Sequence, residues 1–190
     1  MDLAPEHQPP FHPAMSSVAT NASGQPFWTF SLSFYRQSGV SEACLDLQDR
    51  CGVDVNIVLF LLWTATLRRR LQASETRALA DKVRAWQNDV VVPIRNLRRF
   101  LKTPPPLLDE GTTELFRTKI KAVELESERL QQEAMFSLAP SLHYELADTV
   151  EEAARTNLAN YQSVMGQQFA IAAIETLVDA LRLWAARESE

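Results

Sequence analysis

Apolar side chains recur along this chain at steps of three and four, which is the beat of packed helices rather than strands. The densest run is Ile57, Val58, Leu59, Phe60, Leu61, Leu62 and Trp63. A helix that is apolar on every side belongs at the centre of a core. The pattern predicts this helix over 54–71, with Asp54 as N-cap and Arg68, Arg69 and Arg70 placing cations at its negative end. Before it, Phe27, Trp28, Phe30, Leu32, Phe34 and Tyr35 predict a short apolar helix that starts at Pro26 and stops near Gly39. A second helix is expected over 41–51, with Ser41 as N-cap and Gly52 just past its end. After the central helix, Ser74 is expected to cap a fourth helix carrying Leu79, Val83, Trp86 and Val90. Pro93 should kink that helix, which resumes to Leu101.

Pro104, Pro105 and Pro106 then read as a stiff linker. A long amphipathic helix is expected over 113–138, with Phe116, Ile120, Val123, Ser127, Leu130, Ala134 and Leu138 as its stripe and Pro140 closing it. Two more helices follow over 142–165 and 167–187, broken near Gly166. The expected architecture is all-α: one domain over 26–187, a bundle of six or seven helices. Residues 1–25 form a separate tail, rich in Pro, Ser, Ala and Asn, which reads as disordered. His7 and His12 lie in that tail, too few for a metal site of fixed geometry, and Met15 stands as an alternative start.

Composition supports a buried core: 46% of the 190 residues are hydrophobic and only 5 are glycine. The longest apolar run, eleven residues if its threonines are counted, is too short to cross about 30 Å of hydrocarbon. With no basic-then-apolar leader in the first 25 residues, the chain reads as cytoplasmic. Cys44 and Cys51 are the two cysteines. On a straight helix the rise alone separates them by about 10 Å, too far for a disulfide, so they read as small buried hydrophobes.

Charge changes the picture more. The net charge is −5, yet residues 68–102 hold ten basic side chains against three acidic ones. Arg95, Arg98 and Arg99 are the candidate anion-facing group in this block. The alternative is internal pairing with Glu124, Glu126, Glu128, Glu133, Glu151 and Glu152 on neighbouring helices. Aromatics do not interleave with the arginines as a base-stacking surface requires, and no helix-turn-helix or RNA-binding motif occurs, so nucleic acid is the weaker partner.

Catalytic signatures are missing from the sequence. It contains no glycine-rich phosphate loop, no G-x-S-x-G elbow, and no Glu-x-x-His pair of the kind that holds di-iron in bundles. His143 is the sole histidine outside the tail. Glu124 and Glu128 share a helix face, but Lys121 and Arg117 beside them suggest a solvated, paired surface. The polar corner from Asp46 to Asn56 is the most suggestive segment. Its aspartates resemble the Mg²⁺-chelating motifs of all-helical prenyl synthases only loosely, with no facing partner motif. The candidate ligand-binding residues there are Gln48, Asp49, Asp54 and Asn56. No cofactor and no metal is indicated.

The stretch Gln48-Asp49-Arg50-Cys51-Gly52-Val53-Asp54-Val55-Asn56, followed by the apolar run to Trp63, resembles the signature of a family of uncharacterised bacterial proteins. That family is mainly gamma-proteobacterial, a domain of unknown function with the pattern Q-D-x-x-G-x-D-V-N. The stretches from Phe27, Val91 and Lys121 fit it too, so the resemblance covers roughly residues 26–165. It implies a cytoplasmic helical protein and supplies no catalytic residues. Three functions stay open: a non-enzymatic adaptor or regulator acting through a protein partner or self-association; an enzyme or lipid-binding protein with a pocket lined by Trp28, Phe30, Phe34, Phe60 and Trp63 near Asp49 and Asp54; and an anion or nucleic-acid binder using the basic block.

Overall fold

A computed structural model describes residues 25–103 and 107–188. The expected tail, apart from Gln25, and the proline linker lie outside the described residues. Helices α1 (Pro26–Phe34), α2 (Val40–Cys51) and α3 (Val55–Thr66) lead into a short strand, β1 (Arg69–Leu71). Helix α4 (Ala73–Trp86) passes through a π turn (Gln87–Val91) into α5 (Val92–Phe100). Helix α6 (Glu110–Leu138), strand β2 (Tyr144–Leu146), α7 (Val150–Met165) and α8 (Ile171–Arg187) complete the described chain. Counting α4, the π turn and α5 as one rod, the described residues form seven helical rods, within the six or seven that the apolar beat predicts.

Helix α3 is the axis. Every residue from Val55 to Leu62 is buried, and α1, α2, α6, α7 and α8 pack around it. Its N-terminus is capped as expected, the Asp54 carboxylate accepting from the Asn56 N–H at 2.9 Å. Aromatic rings fill the α1–α3 contact: Phe27 meets Phe60 edge-on with centroids 5.4 Å apart, and Trp63 lies against both Phe27 and Phe136.

The C-terminal end of α3 departs from the expectation. The helix stops at Thr66, Arg68 turns the chain at φ +53°, and residues 69–71 pair antiparallel with β2 instead of continuing the helix. The reason sits on α7. The buried Asn157 amide donates to the carbonyls of Leu61 and Arg69, both at 3.0 Å, and its oxygen accepts from the Leu71 N–H at 2.8 Å. The bonds to Arg69 and Leu71 satisfy backbone groups left outside the helical ladder once α3 has ended. Strand β2 likewise shortens the segment expected as helix from 142, so α7 begins at Val150 behind a Thr149 cap.

Three helix starts are also corrected. Gly39, not Ser41, precedes α2; its φ of +77° suits glycine, and an added Cβ there would stand 2.9 Å from Thr176 Cγ2. The Ser41 hydroxyl instead donates to Glu42 at 2.8 Å. Helix α4 starts one residue before Ser74, after Gln72. Helix α6 starts at Glu110 behind Asp109, whose carboxylate accepts from the Thr112 N–H at 2.8 Å. The expected ends at Gly52 and Gly166 are both left-handed and close α2 and α7. Ahead of Pro93 the backbone widens into the π turn, where the Val92 N–H reaches five residues back to the Gln87 carbonyl.

Helix α6 is turned away from the face its stripe predicts. Phe116, Val123, Leu130 and Ala134 of the stripe are exposed and only Ser127 of it is buried, while Thr113, Glu124, Glu128, Gln131, Gln132 and Met135 beside it are buried. Among the described residues no helix is long and apolar enough to cross a membrane.

Candidate functional site

The buried face of α6 carries two carboxylates and two amides, at positions 124, 128, 131 and 132, and α5 lies against it. Arg95 and Arg98, one turn apart on α5, point into this contact and are buried. Arg95 spreads its guanidinium over three acceptors: Nε donates to Glu124 Oε1 at 3.1 Å, Nη2 to Glu128 Oε1 at 2.7 Å, and Nη1 to Gln48 Oε1 at 2.6 Å. Arg98 donates to both oxygens of Glu124. A planar fork with fixed donors suits such multiple pairing, where a lysine would serve one acceptor at a time. At the exposed rim, Arg99 Nη2 lies 3.5 Å from Asp49 Oδ1.

The network continues into the polar corner before α3. Gln131 donates to Asp54 Oδ2, and Gln132 donates to Asn56 Oδ1 at 2.8 Å. The Asp54 N–H donates to the buried Tyr161 hydroxyl on α7 at 3.1 Å. The C-terminal end of α2, the α3 N-terminus, α5, α6 and α7 therefore meet around one polar seam.

Its electrostatics are set by burial. Two guanidinium groups face three carboxylates, those of Asp54, Glu124 and Glu128. Burial pushes the Glu128 carboxyl up to about 7, helped by the negative neighbours Glu124 and Asp54 and opposed by Arg95. Burial raises Asp54 as well, against the stabilising bonds from Gln131 and the Asn56 N–H. For Arg95, burial alone would weaken its hold on the proton, but Glu128 and Glu124 outweigh it and the group is held more firmly cationic. A proton on Glu128 brings the cluster to charge balance. Glu128 Oε2, Gln131 Oε1 and Gln132 Oε1 are buried without a hydrogen-bond partner among the described residues.

The seven residues picked from the sequence are thus brought together: Gln48, Arg95 and Arg98 around Glu124 and Glu128, Asp49 with Arg99 at the rim, and Asp54 with Asn56 at the inner end. Of the partners, Glu124 and Glu128 are among those that internal pairing of the basic block supposes, while sequence reasoning missed Gln131, Gln132 and Tyr161. Glu124 and Glu128 do not lie on the solvated face that Arg117 and Lys121 suggest: both are buried, and Arg117 pairs with Glu114 at 2.8 Å. The signal that marks them is their own spacing, since 124, 128, 131, 132 and 135 form a stripe as regular as the apolar one. The basic block is paired as its internal-pairing alternative supposes at Arg95 and Arg98, and again at Arg70, which holds Glu152 at 2.9 Å and Glu145 at 3.5 Å.

Other candidate groups lie elsewhere. His143 is highly exposed, with Nδ1 3.4 Å from Glu75. Burial pushes the Cys44 thiol up to about 12, which keeps it protonated. No group of three or more His, Cys, Asp or Glu side chains among the described residues is placed to hold a metal ion.

Fold and seam together define an all-helical protein with a charged, buried seam between two of its helices. The chain belongs to the family described as protein of unknown function DUF2390, which matches residues 26–135, from the start of α1 to Met135 on α6. That match takes in every residue of the seam except Tyr161. Comparison with curated proteins and with solved structures returned no match.

Proposed function

We propose that this chain is a non-enzymatic helical interaction protein that presents the outer side of its α5–α6 hairpin to a protein partner. One observation carries the reading: the hairpin is built with charge inside and apolar side chains outside. Its inner surface holds Arg95, Arg98, Glu124 and Glu128. Its outer surface exposes Leu97, Phe100, Leu115, Phe116, Val123 and Leu130, with Leu115 71% and Phe100 62% accessible. Single exposed hydrophobes are ordinary, but a run of them along one supersecondary unit marks an interaction surface. The buried seam then serves as the support: its multiple ion pairs fix how α6 is rotated, and so which face is offered. Support for an enzyme is weaker, because the buried seam offers carboxylates and guanidinium groups already committed to one another and no nucleophile beside them.

A photo-crosslinking side chain placed at Phe100 or Leu115 in cells tests this reading. It should give a discrete protein adduct that the same probe at Arg36 or Arg182, on other exposed surfaces, does not. Equal labelling at all four positions, or no protein adduct at Phe100 and Leu115, removes the proposal.

A further inference from the structure

We infer that the partner of α6 is a second copy of this chain, bound antiparallel along the stripe Phe116, Ile120, Val123, Ser127 and Leu130; the inference rests on the interaction reading above. Steps of four, three, four and three between these residues match the two core positions of a heptad, the spacing by which helices seam together. Most of the stripe is not used within the monomer: Phe116, Val123 and Leu130 are exposed and Ile120 is half-buried, while Ser127 is buried. Over 110–123, Thr113 is the only buried residue, so the N-terminal half of this 29-residue helix keeps its side chains out of the core. Ser127 is covered by Trp86, whose indole N–H donates to the Ser127 carbonyl at 3.0 Å, which adds an aromatic surface at that point of the seam.

Charge selects the partner and the direction. Residues that flank a heptad seam lie on two edges. One edge here is Arg117, Glu124 and Gln131, of which Glu124 and Gln131 are already buried against α5 and α3. The free edge is Lys119, Glu126 and Glu133, all exposed. In a parallel pair each free edge would face the opposite edge of its partner, which is occupied. In an antiparallel pair, free edge meets free edge. With Ile120 set against the partner's Val123, Lys119 falls opposite the partner's Glu126, and the twofold axis repeats the pairing. Sliding the helices by one heptad sets Glu126 against the partner's Glu126 and is disfavoured. Arg129 already bridges Glu126 and Glu133 at 2.8 and 2.9 Å, so the incoming lysine joins carboxylates held in place. The exposed leucines at 97, 107, 108 and 115 lie on the same hairpin and its connection and add apolar area around the seam.

Sedimentation equilibrium of the full chain at neutral pH and low salt tests the inference. The wild type should dimerise. Lys119→Glu and Glu126→Lys, both surface changes, should each weaken self-association about tenfold or more, since each sets like charges opposite one another twice. Mixing the two variants should restore a dimer containing one of each, because every pair across the seam is then opposite in sign. A wild-type chain that stays monomeric overturns the inference, and so does a monomer that instead sediments with anionic lipid vesicles. A dimer indifferent to both reversals overturns the antiparallel register. A monomeric chain that still gives a protein adduct at Phe100 leaves the interaction reading standing and removes only the second copy.

Discussion

Arg95 on α5 donates from Nη2 to Glu128 Oε1 on α6 at 2.7 Å, with both side chains buried. A pair of this kind contributes little net stability against an apolar replacement of the same shape, yet removing one partner leaves an uncompensated buried charge. Its consequence is positional. Arg95 also holds Gln48 on α2 and Glu124 on α6, so one guanidinium sets the mutual rotation of three helices.

Arg95→Ala should therefore cost about 3–5 kcal/mol, because Gln48 and the buried Glu128 lose their donor at once and Glu124 is left with Arg98 alone. Glu128→Gln keeps an acceptor of the same shape and should cost about 1 kcal/mol. Urea denaturation at pH 7 checks both. Near-equal losses for the two variants would mean that Arg95 does not act as the hub.

Stability should fall as the pH rises from 4.5 to 7. Glu128 in the folded chain holds its proton up to about 7, against an ordinary glutamate value of 4.5. Across that window the folded state binds more protons than the unfolded one, so the contribution is fully present below 4.5 and lost as pH passes 7. Each pH unit between the two values corresponds to about 1.4 kcal/mol, which sets a scale on the order of 3 kcal/mol. Asp54, raised in the same direction, adds to the trend. The surface carboxylates Glu126 and Glu175, lowered by hydrogen bonds from Arg129 and Arg155, act with the opposite sign and below the window. Denaturation midpoints measured from pH 4.5 to 8 should decline for the wild type and flatten for Glu128→Gln. A wild-type profile that rises through this range contradicts the assignment.

Asn157→Leu should cost about 2–4 kcal/mol, since it leaves the Leu71 N–H and the Arg69 carbonyl without the partners they have in the folded chain. The loss should be local first. Amide exchange at Leu71 should accelerate well before exchange in α3, where the backbone bonds are intrahelical. Unchanged protection at Leu71 would show that pairing with β2 is enough to hold the strand.

Much of this architecture is legible along the chain because its causes are local. An all-round apolar run can only be a buried helix, which places α3. Asp54 caps its start, and Gly52 and Gly166 terminate helices through a backbone conformation that other residues adopt at a cost. Gln48, Asp49, Asp54, Asn56, Arg95, Arg98 and Arg99 stand out as polar groups beside apolar runs, and they do gather around one seam.

Two features are decided only by the tertiary structure. Residues 69–71 have no strong signal of their own; Asn157, 86 positions away from Leu71, converts the expected end of α3 into a strand. Helix α6 carries an apolar stripe and a polar stripe of equal regularity, and periodicity alone favours burying the apolar one. Arg95 and Arg98 reverse that choice, because desolvating Glu124 and Glu128 becomes tolerable where cations already wait. Local periodicity says that a helix has two faces; which face turns inward depends on the charges that another helix brings to meet it.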